Sequence, residues 1–363
     1  MTRKISILLP DLRSGGVERI RIVLAREFAR AGHEVEFVLM HARGELLAEA
    51  QAEFGVVDLA CPRARNLPLT LTRYLRRRRP DALLAAMWPL TVIAPLMRLA
   101  GYRGQIVVSE HNTLSVQYGY WGRLHHVALR GSMAASYRLA HARVGVSSGV
   151  CDDIGALSGL SRTAFEVVHN PVSIRPGPDA QLLQSVDTLW AAPRGARIVT
   201  VGSMKAQKNH PLLLRAFAQM ARPDARLMFV GTGAGETDLR ALAGELGVAS
   251  QVIFAGFHPD PTPFYQTADL FVLSSDYEGF GNVIVEALAC GTSVVSTDCP
   301  SGPAEILQNG KYGRLVPVRD AQALADAMQE ALTAPHDATL LKQRASDFAP
   351  AIAAKRYLEL LCP

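Results

Sequence analysis

Two glutamates, spaced eight positions apart in the second half of the chain, stand in a setting suited to a nucleotide and its phosphates. Glu278 follows a short apolar run, and Glu286 lies in the helical pattern that comes next. Gly279 and Gly281 remove side chains from the turn between them, so backbone amides at a helix N-terminus can meet phosphate oxygens. A carboxylate farther along that helix can accept hydrogen bonds from two ribose hydroxyls. Glutamates that only meet solvent are the alternative interpretation.

A glycine turn and a histidine follow predicted strands in the first half. Gly15 and Gly16 precede a helical pattern over residues 17–31, and His111 follows a strand at residues 106–109. Glycines at such a turn favour either anion binding or a tight strand-to-helix connection. A lone histidine after a strand is either a hydrogen-bonded structural residue or a ligand-binding group. The spacing of cysteine, histidine and aspartate residues predicts no metal site.

The elements that must position these residues alternate between apolar runs and helical patterns. Predicted strands, apolar on both faces as in parallel sheets, cover residues 5–9, 35–40, 82–86, 106–109 and 144–147, then 198–201, 227–230, 252–254, 270–273 and 293–296. Such alternation predicts an α/β protein with two Rossmann-like, doubly wound domains. Ligands bind beyond the carboxyl ends of such strands, so two facing sheets are expected to form a site in a central cleft.

Proline and glycine punctuation sets the predicted domain boundaries. The first domain covers residues 1–175, a linker covers 176–195, the second domain covers 196–345, and a C-terminal helical segment covers 346–363. The length of 363 residues, with 49% hydrophobic and 20% charged residues, is typical of a two-domain globular protein. The sequence pattern does not predict where the last segment packs.

Charge and cysteine content indicate the cellular compartment and the kind of surface that the protein could contact. The net charge is +5, and the excess of basic residues lies in the first half. The densest basic run, Arg76–Arg79, is either a solvated helix end or a contact with an anionic membrane. Five scattered cysteines, no leader pattern and a longest apolar stretch of only 16 residues, at 82–97, predict a cytoplasmic protein without a membrane span.

Taken together, the motifs resemble those of the family-four retaining glycosyltransferases, which have the GT-B fold and act in bacterial polysaccharide and lipid-linked oligosaccharide biosynthesis. The E-x7-E spacing around Gly-Phe-Gly-Asn carries most of the resemblance. Further matching segments lie at residues 14–19, 107–111, 169–172, 201–209, 229–233 and 299–307. The order of the motifs over nearly the whole chain is more specific than any one of them.

The resemblance implies a role for each matching residue. The implied catalytic residues are His111, which reaches the donor sugar, Glu278, which lies beside that sugar, and Lys208, which neutralises the diphosphate. The implied donor-binding residues are Gly15, Gly16, Ser203, Lys208, Gly279, Phe280, Gly281, Asn282 and Glu286, the last of which holds the ribose. Gly15 and Gly16 would line the phosphate or the acceptor side. Ser203 departs from the family pattern, which has an arginine at this position. Arginine can bind a phosphate through two hydrogen-bond donors, and serine cannot.

The implied reaction is transfer of a hexose or N-acetylhexosamine from a nucleotide-diphosphate sugar, preferably a UDP-sugar, with GDP-mannose as the other donor. The first domain would serve the acceptor, a glycan linked to a polyprenyl-diphosphate lipid, and the second domain would bind the nucleotide sugar. The resemblance implies no cofactor, no metal and no nucleic-acid partner, with peripheral contact to an anionic membrane. A nucleotide-sugar 2-epimerase and a dinucleotide-dependent oxidoreductase are the alternatives. Glu34 and Glu36 begin the second strand instead of ending it, which disfavours the oxidoreductase.

Overall fold

The computed structural model describes residues 1–13, 15–61, 63–173, 177, 180–190 and 195–363. Ser14 of the glycine turn and several linker positions, 191–194 among them, lie outside the described residues. The chain forms two compact units, one made of Met1–Ser173 with Ala349–Pro363 and the other of Ile174–Phe348. Among the helices in the described ranges, none is long and apolar enough to cross a membrane.

The first unit is built on a seven-stranded sheet in which every recorded pairing is parallel. Its strands are β1 (Lys4–Leu9), β2 (Glu34–Leu39), β3 (Gly55–Asp58), β4 (Ala82–Ala86), β5 (Gln105–Glu110), β6 (Ala142–Gly145) and β7 (Glu166–Val167). They lie in the order β3-β2-β1-β4-β5-β6-β7. The adjacent helices are α1 (Gly16–Arg30), α2 (Leu47–Glu53), α3 (Leu67–Arg78), α4 (Leu90–Leu96), α5 (Leu114–Gln117), α6 (Arg123–Ser136) and α7 (Ser148–Ser158).

The second unit repeats this plan with six strands. They are β8 (Arg197–Val201), β9 (Arg226–Val230), β10 (Val252–Gly256), β11 (Leu270–Leu273), β12 (Ser293–Thr297) and β13 (Arg314–Val316), in the order β10-β9-β8-β11-β12-β13. Its helices are α8 (Ala180–Leu189), α9 (His210–Gln219), α10 (Glu236–Glu245), α11 (Thr262–Gln266), α12 (Asn282–Cys290), α13 (Pro303–Ile306), α14 (Ala321–Thr333) and α15 (Ala338–Ser346). This is the strand order of a dinucleotide-binding fold, so the prediction of two doubly wound sheets is confirmed.

The core of the first unit includes a helix from the far end of the sequence. Residues Pro350–Leu361 form α16, and the side chains of Tyr357 and Leu361 are almost fully buried among α1 and the central strands. Phe28 on the apolar face of α1 belongs to the same core. The C-terminal segment therefore completes the first unit, a position that the sequence pattern did not indicate.

The segment predicted as a linker, residues 176–195, differs from a plain connection. It contains α8, which groups with the second unit and buries Val186. Trp190, just beyond the helix, is fully buried, and its indole N–H donates to the Thr267 hydroxyl at 2.9 Å. The buried residues Val186 and Trp190 attach this segment to the second unit. The sequence pattern indicated only a connection, because prolines and glycines surround these apolar residues.

Candidate active site

Topology brings two of the predicted catalytic residues to one edge of the second sheet. Lys208 follows β8, and Glu278 follows β11, which is hydrogen-bonded directly to β8. Because neighbouring parallel strands end at the same edge, the two loops meet there. The Lys208 Nζ lies 2.6 Å from Glu278 Oε1, and both side chains are largely buried.

A third side chain fixes the carboxylate of this pair. The Ser275 hydroxyl donates to Glu278 Oε1 at 2.6 Å. The aliphatic part of Lys208 passes over Gly202, where an added Cβ would lie 3.4 Å from Lys208 Cε. A largely buried cation paired with a carboxylate is a strong electrostatic element, and its position is set by both loops.

The two loops are also joined through their backbones. The Asp276 amide donates to the Gln207 carbonyl at 2.9 Å, and the Ser274 hydroxyl donates to the Lys208 carbonyl at 2.9 Å. The Gln207 side-chain amide donates to the Tyr277 carbonyl at 2.9 Å. These hydrogen bonds fix the two loops relative to each other and so hold the Lys208–Glu278 pair in place without a ligand.

Gly281, before α12, and Gly302, before α13, are each required for a different reason. Gly281 has φ +99°, a left-handed conformation that side chains rarely adopt. Gly302 has φ +104°, and a Cβ there would lie 2.0 Å from the Phe280 carbonyl oxygen. The Ser301 amide donates to the Glu278 carbonyl at 2.9 Å, so the motif at residues 299–307 packs against the glutamate loop.

The second glutamate of the motif lies inside α12. Glu286 is half-buried, and the Tyr265 hydroxyl donates to its Oε2 at 2.8 Å. Burial, together with the negative charge of Glu286, raises the pKa of Tyr265 well above its ordinary value. Tyr265 therefore remains a hydrogen-bond donor that orients the Glu286 carboxylate.

Ser203 follows Gly202, at the point where the backbones of Gly202 and Gly231 are in close contact. Gly202 has φ +151°, and a Cβ on Gly231 would lie 2.1 Å from the Gly202 carbonyl oxygen. These glycines thus allow β8 and β9 to leave the sheet in close contact. Ser203 itself is half-buried, while Lys205, two residues later, is exposed.

In the first unit, His111 is held by an arginine that the sequence analysis did not single out. Arg21 is fully buried, and its Nη2 lies 2.8 Å from His111 Nε2 and donates to the Ser109 hydroxyl as well. The Arg21 guanidinium also lies over the ring of Tyr357 in α16, 5.1 Å from its centroid. The side chains of α1, β5 and α16 thus fix the imidazole.

This contact also decides the protonation of the histidine. Arginine has only donors, so His111 Nε2 must be the acceptor and the neutral ring carries its proton on Nδ1. Burial lowers the pKa of His111 well below its ordinary value, and the positive charge of Arg21 lowers it further, against an opposing contribution from Asn170. His111 is therefore a hydrogen-bond donor through Nδ1 and not a cation.

The residue before His111 is a buried acid. Glu110 accepts hydrogen bonds from the hydroxyls of Thr91 and of Tyr137, the latter at 2.7 Å. Burial raises the pKa of Glu110 to about 7, although those hydrogen bonds act in the opposite direction. A carboxyl group that titrates near neutrality thus lies directly behind His111 in β5.

The predicted glycine turn of the first unit lies at the start of α1. Gly15 has extended backbone, and a Cβ there would lie 2.1 Å from a carboxylate oxygen of Glu18. Gly16 is the first residue of the helix. A carboxylate folded over the helix start places negative charge where a phosphate would otherwise be favoured.

The structure therefore groups the predicted residues by unit. In the second unit, Lys208 and Glu278 are in direct contact, and Glu286 lies eight residues beyond Glu278. The other predicted residues at the same edge of the second sheet are Ser203, Gly279, Phe280, Gly281 and Asn282. The first unit contains His111, Gly15 and Gly16. Phe280 presents its ring to the core against Phe348, at 5.4 Å between centroids. Within the described part of the chain, no group of three His, Cys, Asp or Glu side chains is arranged to hold a metal.

Three residues of these sites were missed from the sequence. Ser275 lies inside the glutamate motif and had a visible signal. Arg21 stands on the apolar face of α1 with Ile20 and Leu24, and a charge on that face was a usable signal. Tyr265 gave none, because it lies 21 residues before its partner.

Comparisons with known proteins agree with the fold of the two units. The model of the family "Glycosyltransferase Family 4" matches residues 14–175, and that of "Glycosyl transferases group 1" matches residues 191–348. The chain is 26% identical over 342 residues, 91% of its length and 90% of the relative's, to the N-acetylgalactosamine-N,N'-diacetylbacillosaminyl-diphospho-undecaprenol 4-alpha-N-acetylgalactosaminyltransferase of Campylobacter jejuni. It is also 26% identical over 363 residues, 96% of each protein, to the lipopolysaccharide core biosynthesis glycosyltransferase LpsE of Rhizobium meliloti.

A solved structure shows the same fold. The crystal structure of Anabaena Alr3699/HepE in complex with UDP-glucose superposes with a TM-score of 0.80 at 21% identity and covers 99% of both chains. The two family models account for both sheets, and their junction falls where the chain passes from one unit to the other. By its motifs, its strand order and these matches, the chain belongs to the family-four glycosyltransferases of the GT-B fold.

Proposed function

We propose that this glycosyltransferase moves a hexose or N-acetylhexosamine from a UDP-sugar to a lipid-linked glycan with retention of anomeric configuration. The observation that carries the proposal is the contact of 2.6 Å between Lys208 and Glu278 at the edge of the second sheet, with Glu286 in the helix that follows. A cation, an anchoring carboxylate and a ribose-binding carboxylate in this order suit a nucleotide diphosphate joined to a sugar.

In the proposed donor complex, Glu286 accepts hydrogen bonds from the ribose hydroxyls while Tyr265 holds the carboxylate in place. Lys208 stabilises the negative charge that grows on the diphosphate as the bond to the sugar breaks. Glu278 keeps the lysine ammonium in position and lies beside the sugar. We propose that no metal is needed, because Lys208 and the amides at the start of α12 can meet the phosphate charge.

The proposed transfer takes place on one face of the sugar. The acceptor hydroxyl oxygen forms a bond to the anomeric carbon as the bond from that carbon to the phosphate oxygen breaks. The hydroxyl proton passes to the departing phosphate, and the products are the extended glycan and the nucleoside diphosphate. No separate carboxylate base is required in this scheme. His111, neutral and with its proton on Nδ1, would donate a hydrogen bond to a sugar hydroxyl.

The acceptor side is inferred from the first unit and from the relatives. The Glu18 carboxylate over Gly15 disfavours a phosphate at that turn, so we assign Gly15 and Gly16 to the acceptor. The Campylobacter relative is named for a diphospho-undecaprenol acceptor and for transfer of N-acetylgalactosamine. This name supports a lipid-linked acceptor and does not favour the 2-epimerase alternative. We propose that the protein reaches such an acceptor by peripheral contact at the inner face of the membrane.

The test is a panel of UDP- and GDP-sugars, GDP-mannose included, added to the purified protein. Thermal stabilisation and slow release of the free nucleotide would identify the donor, since a ligand of the folded state raises the melting temperature. The variant Glu286→Gln should lose roughly tenfold or more in donor affinity, whereas the exposed Glu245→Gln in α10 should bind like the wild type. If Glu286→Gln binds the donor normally, the assignment of the ribose site is wrong. Product anomers, read by NMR, decide between retention and inversion.

A further inference from the structure

One face of the first unit carries large apolar side chains in solvent. Tyr120 is 81% exposed, Leu124 86% and Val127 67%, and Val116 and Trp121 are exposed beside them. All five lie between the start of α5 and the middle of α6, and we call this the 116–127 surface. Scattered exposed apolar residues are ordinary, but a contiguous group of this size marks an interaction site.

The packing of α6 explains why this face is left in solvent. Leu129 and Met133 point into the unit, so the helix is anchored by its other side. Leu124 and Val127, three positions apart, share the opposite side, which continues into a groove of about 430 Å³ lined by Val127, Arg130, Arg138 and Leu157, among others. The helix α6 therefore carries apolar residues on its exposed face as well as on its buried face.

Aromatic rings border the same surface. The Tyr118 and Trp121 ring centroids are 4.6 Å apart, and Trp88, in the loop after β4, lies 5.2 Å from Tyr118. His125 packs against Trp121 at 5.4 Å. Tryptophan and tyrosine side chains are favoured at the boundary between lipid and water, because each has an apolar body and a polar end.

The charged residues within this part of the sequence are all basic. The sequence has no acidic residue between Glu110 and Asp152, whereas Arg123 and Arg130 fall within that stretch. Both arginines are exposed, and neither has an ion-pair partner among the described residues. On the neighbouring helix α7, Asp152 is paired with Arg162 at 2.9 Å and Asp153 accepts from the Ser115 amide at 3.2 Å. The surface thus offers positive charge to an anionic partner.

We propose that the 116–127 surface is where the protein docks on a bilayer that contains anionic lipid, with Leu124, Val127 and Trp121 inserted among the lipids and Arg123 and Arg130 against their headgroups. Apolar residues flanked by aromatic rings and arginines are the composition of an interfacial helix. The inference rests on the proposed function only for which edge of the first sheet faces the membrane. The surface follows directly from the end of β5 and His111, at the edge of the sheet assigned to the acceptor.

This location differs from the one suggested by the basic run Arg76–Arg79. Arg76 and Arg79 line a cavity of about 750 Å³ together with Arg3, Asp81 and Gln105, which stand at the starts of β1, β4 and β5. That run therefore lies at the amino edge of the sheet, opposite the edge that carries His111. A membrane that presents a lipid-linked acceptor must approach the carboxyl edge, and the 116–127 surface is on that side.

The experiment is co-sedimentation of the full chain with vesicles of phosphatidylcholine, with and without phosphatidylglycerol. Leu124→Ser with Val127→Ser should lower binding about tenfold or more, since two apolar side chains no longer insert among the lipids. Arg123→Gln with Arg130→Gln should lower binding to the anionic vesicles roughly fivefold for each arginine. Arg76→Gln with Arg77→Gln removes the same charge at the other edge and should change binding less than about twofold.

Three results would overturn the proposal. The first is a wild-type protein that ignores anionic vesicles, and the second is a Leu124 and Val127 variant that binds as well as wild type. The third is equal loss in the two arginine pairs, which would mean that overall charge decides. Melting temperatures of the variants report on folding, and quenching of Trp121 fluorescence by brominated lipids, absent in Trp121→Phe, reports insertion independently. The vesicles contain no glycan acceptor, so failure here leaves the proposed transfer untouched, and failure of transfer to a water-soluble acceptor leaves this surface untouched.

Discussion

The buried acid before His111 gives a quantitative prediction about stability and pH. Glu110 has a pKa of about 7 in the folded protein, raised by burial from an ordinary value of 4.5. Between these two values the unfolded chain releases the proton while the folded chain keeps it. Stability therefore falls as pH rises through this window, and the full cost is reached once the folded group ionises. The difference corresponds to about 3 kcal/mol in the free energy of unfolding.

The substitution Glu110→Gln isolates this contribution. Glutamine resembles the neutral acid in shape, and its carbonyl oxygen can still accept from Tyr137 and Thr91. We expect the stability of the wild type, relative to Glu110→Gln, to decline by about 3 kcal/mol between about pH 4 and about pH 8. Urea unfolding of both proteins across this range measures the difference, and the infrared band of a protonated carboxyl, absent from the variant, identifies the group directly.

A second variant and a clear contrary result complete the design. Tyr137→Phe removes a hydrogen bond that lowers the pKa of Glu110, so its infrared titration should move to higher pH. A difference between the wild type and Glu110→Gln that stays constant within about 0.5 kcal/mol over the range would show that Glu110 is not held as a neutral acid. The description of the end of β5 would then be wrong.

Three further substitutions test other parts of the structure. Arg21→Met removes the buried cation, so the pKa of His111 should rise, and an NMR titration of the ring that is unchanged from wild type would contradict the contact. Gly302→Ala should cost about 2 kcal/mol or more, because its Cβ would lie 2.0 Å from a carbonyl oxygen, whereas Gly244→Ala, in open space on α10, should be neutral or slightly stabilising in the same thermal melts. Ser203→Arg should tighten donor binding by about tenfold if that position faces the diphosphate, and unchanged calorimetric affinity would show that it does not.

The sequence predicted the sheets well where strands were uniformly apolar. The strands β4 and β11 are buried at every residue and stood out as continuous apolar runs. Three edge strands, β3, β7 and β13, were missed because they are short and partly exposed. An edge strand has one neighbour and a solvated flank, so its residues lack the pattern that identifies a central strand.

The candidate site was predictable only as far as its residues lie within one motif. Glu278, Glu286 and the glycines between them share a single loop and helix, and that spacing is visible in the sequence. The Arg21–Ser109 hydrogen bond joins residues 88 positions apart. Such partners are chosen by the packing of α1 against β5, and no local spacing records them. The exposed side chains of α6 were missed for a related reason, since an apolar helix residue in the sequence is usually assigned to the core.

The position of α16 has a consequence for how the protein is made. The first unit begins at residue 1 but receives its last helix from residues 350–361, so the whole second unit is translated in between. Until that helix emerges from the ribosome, the groove over α1 is open, and the face of Arg21 that Tyr357 covers is exposed. The first unit can therefore complete its core only after the whole second unit has been synthesised, even though most of its own sequence comes earlier.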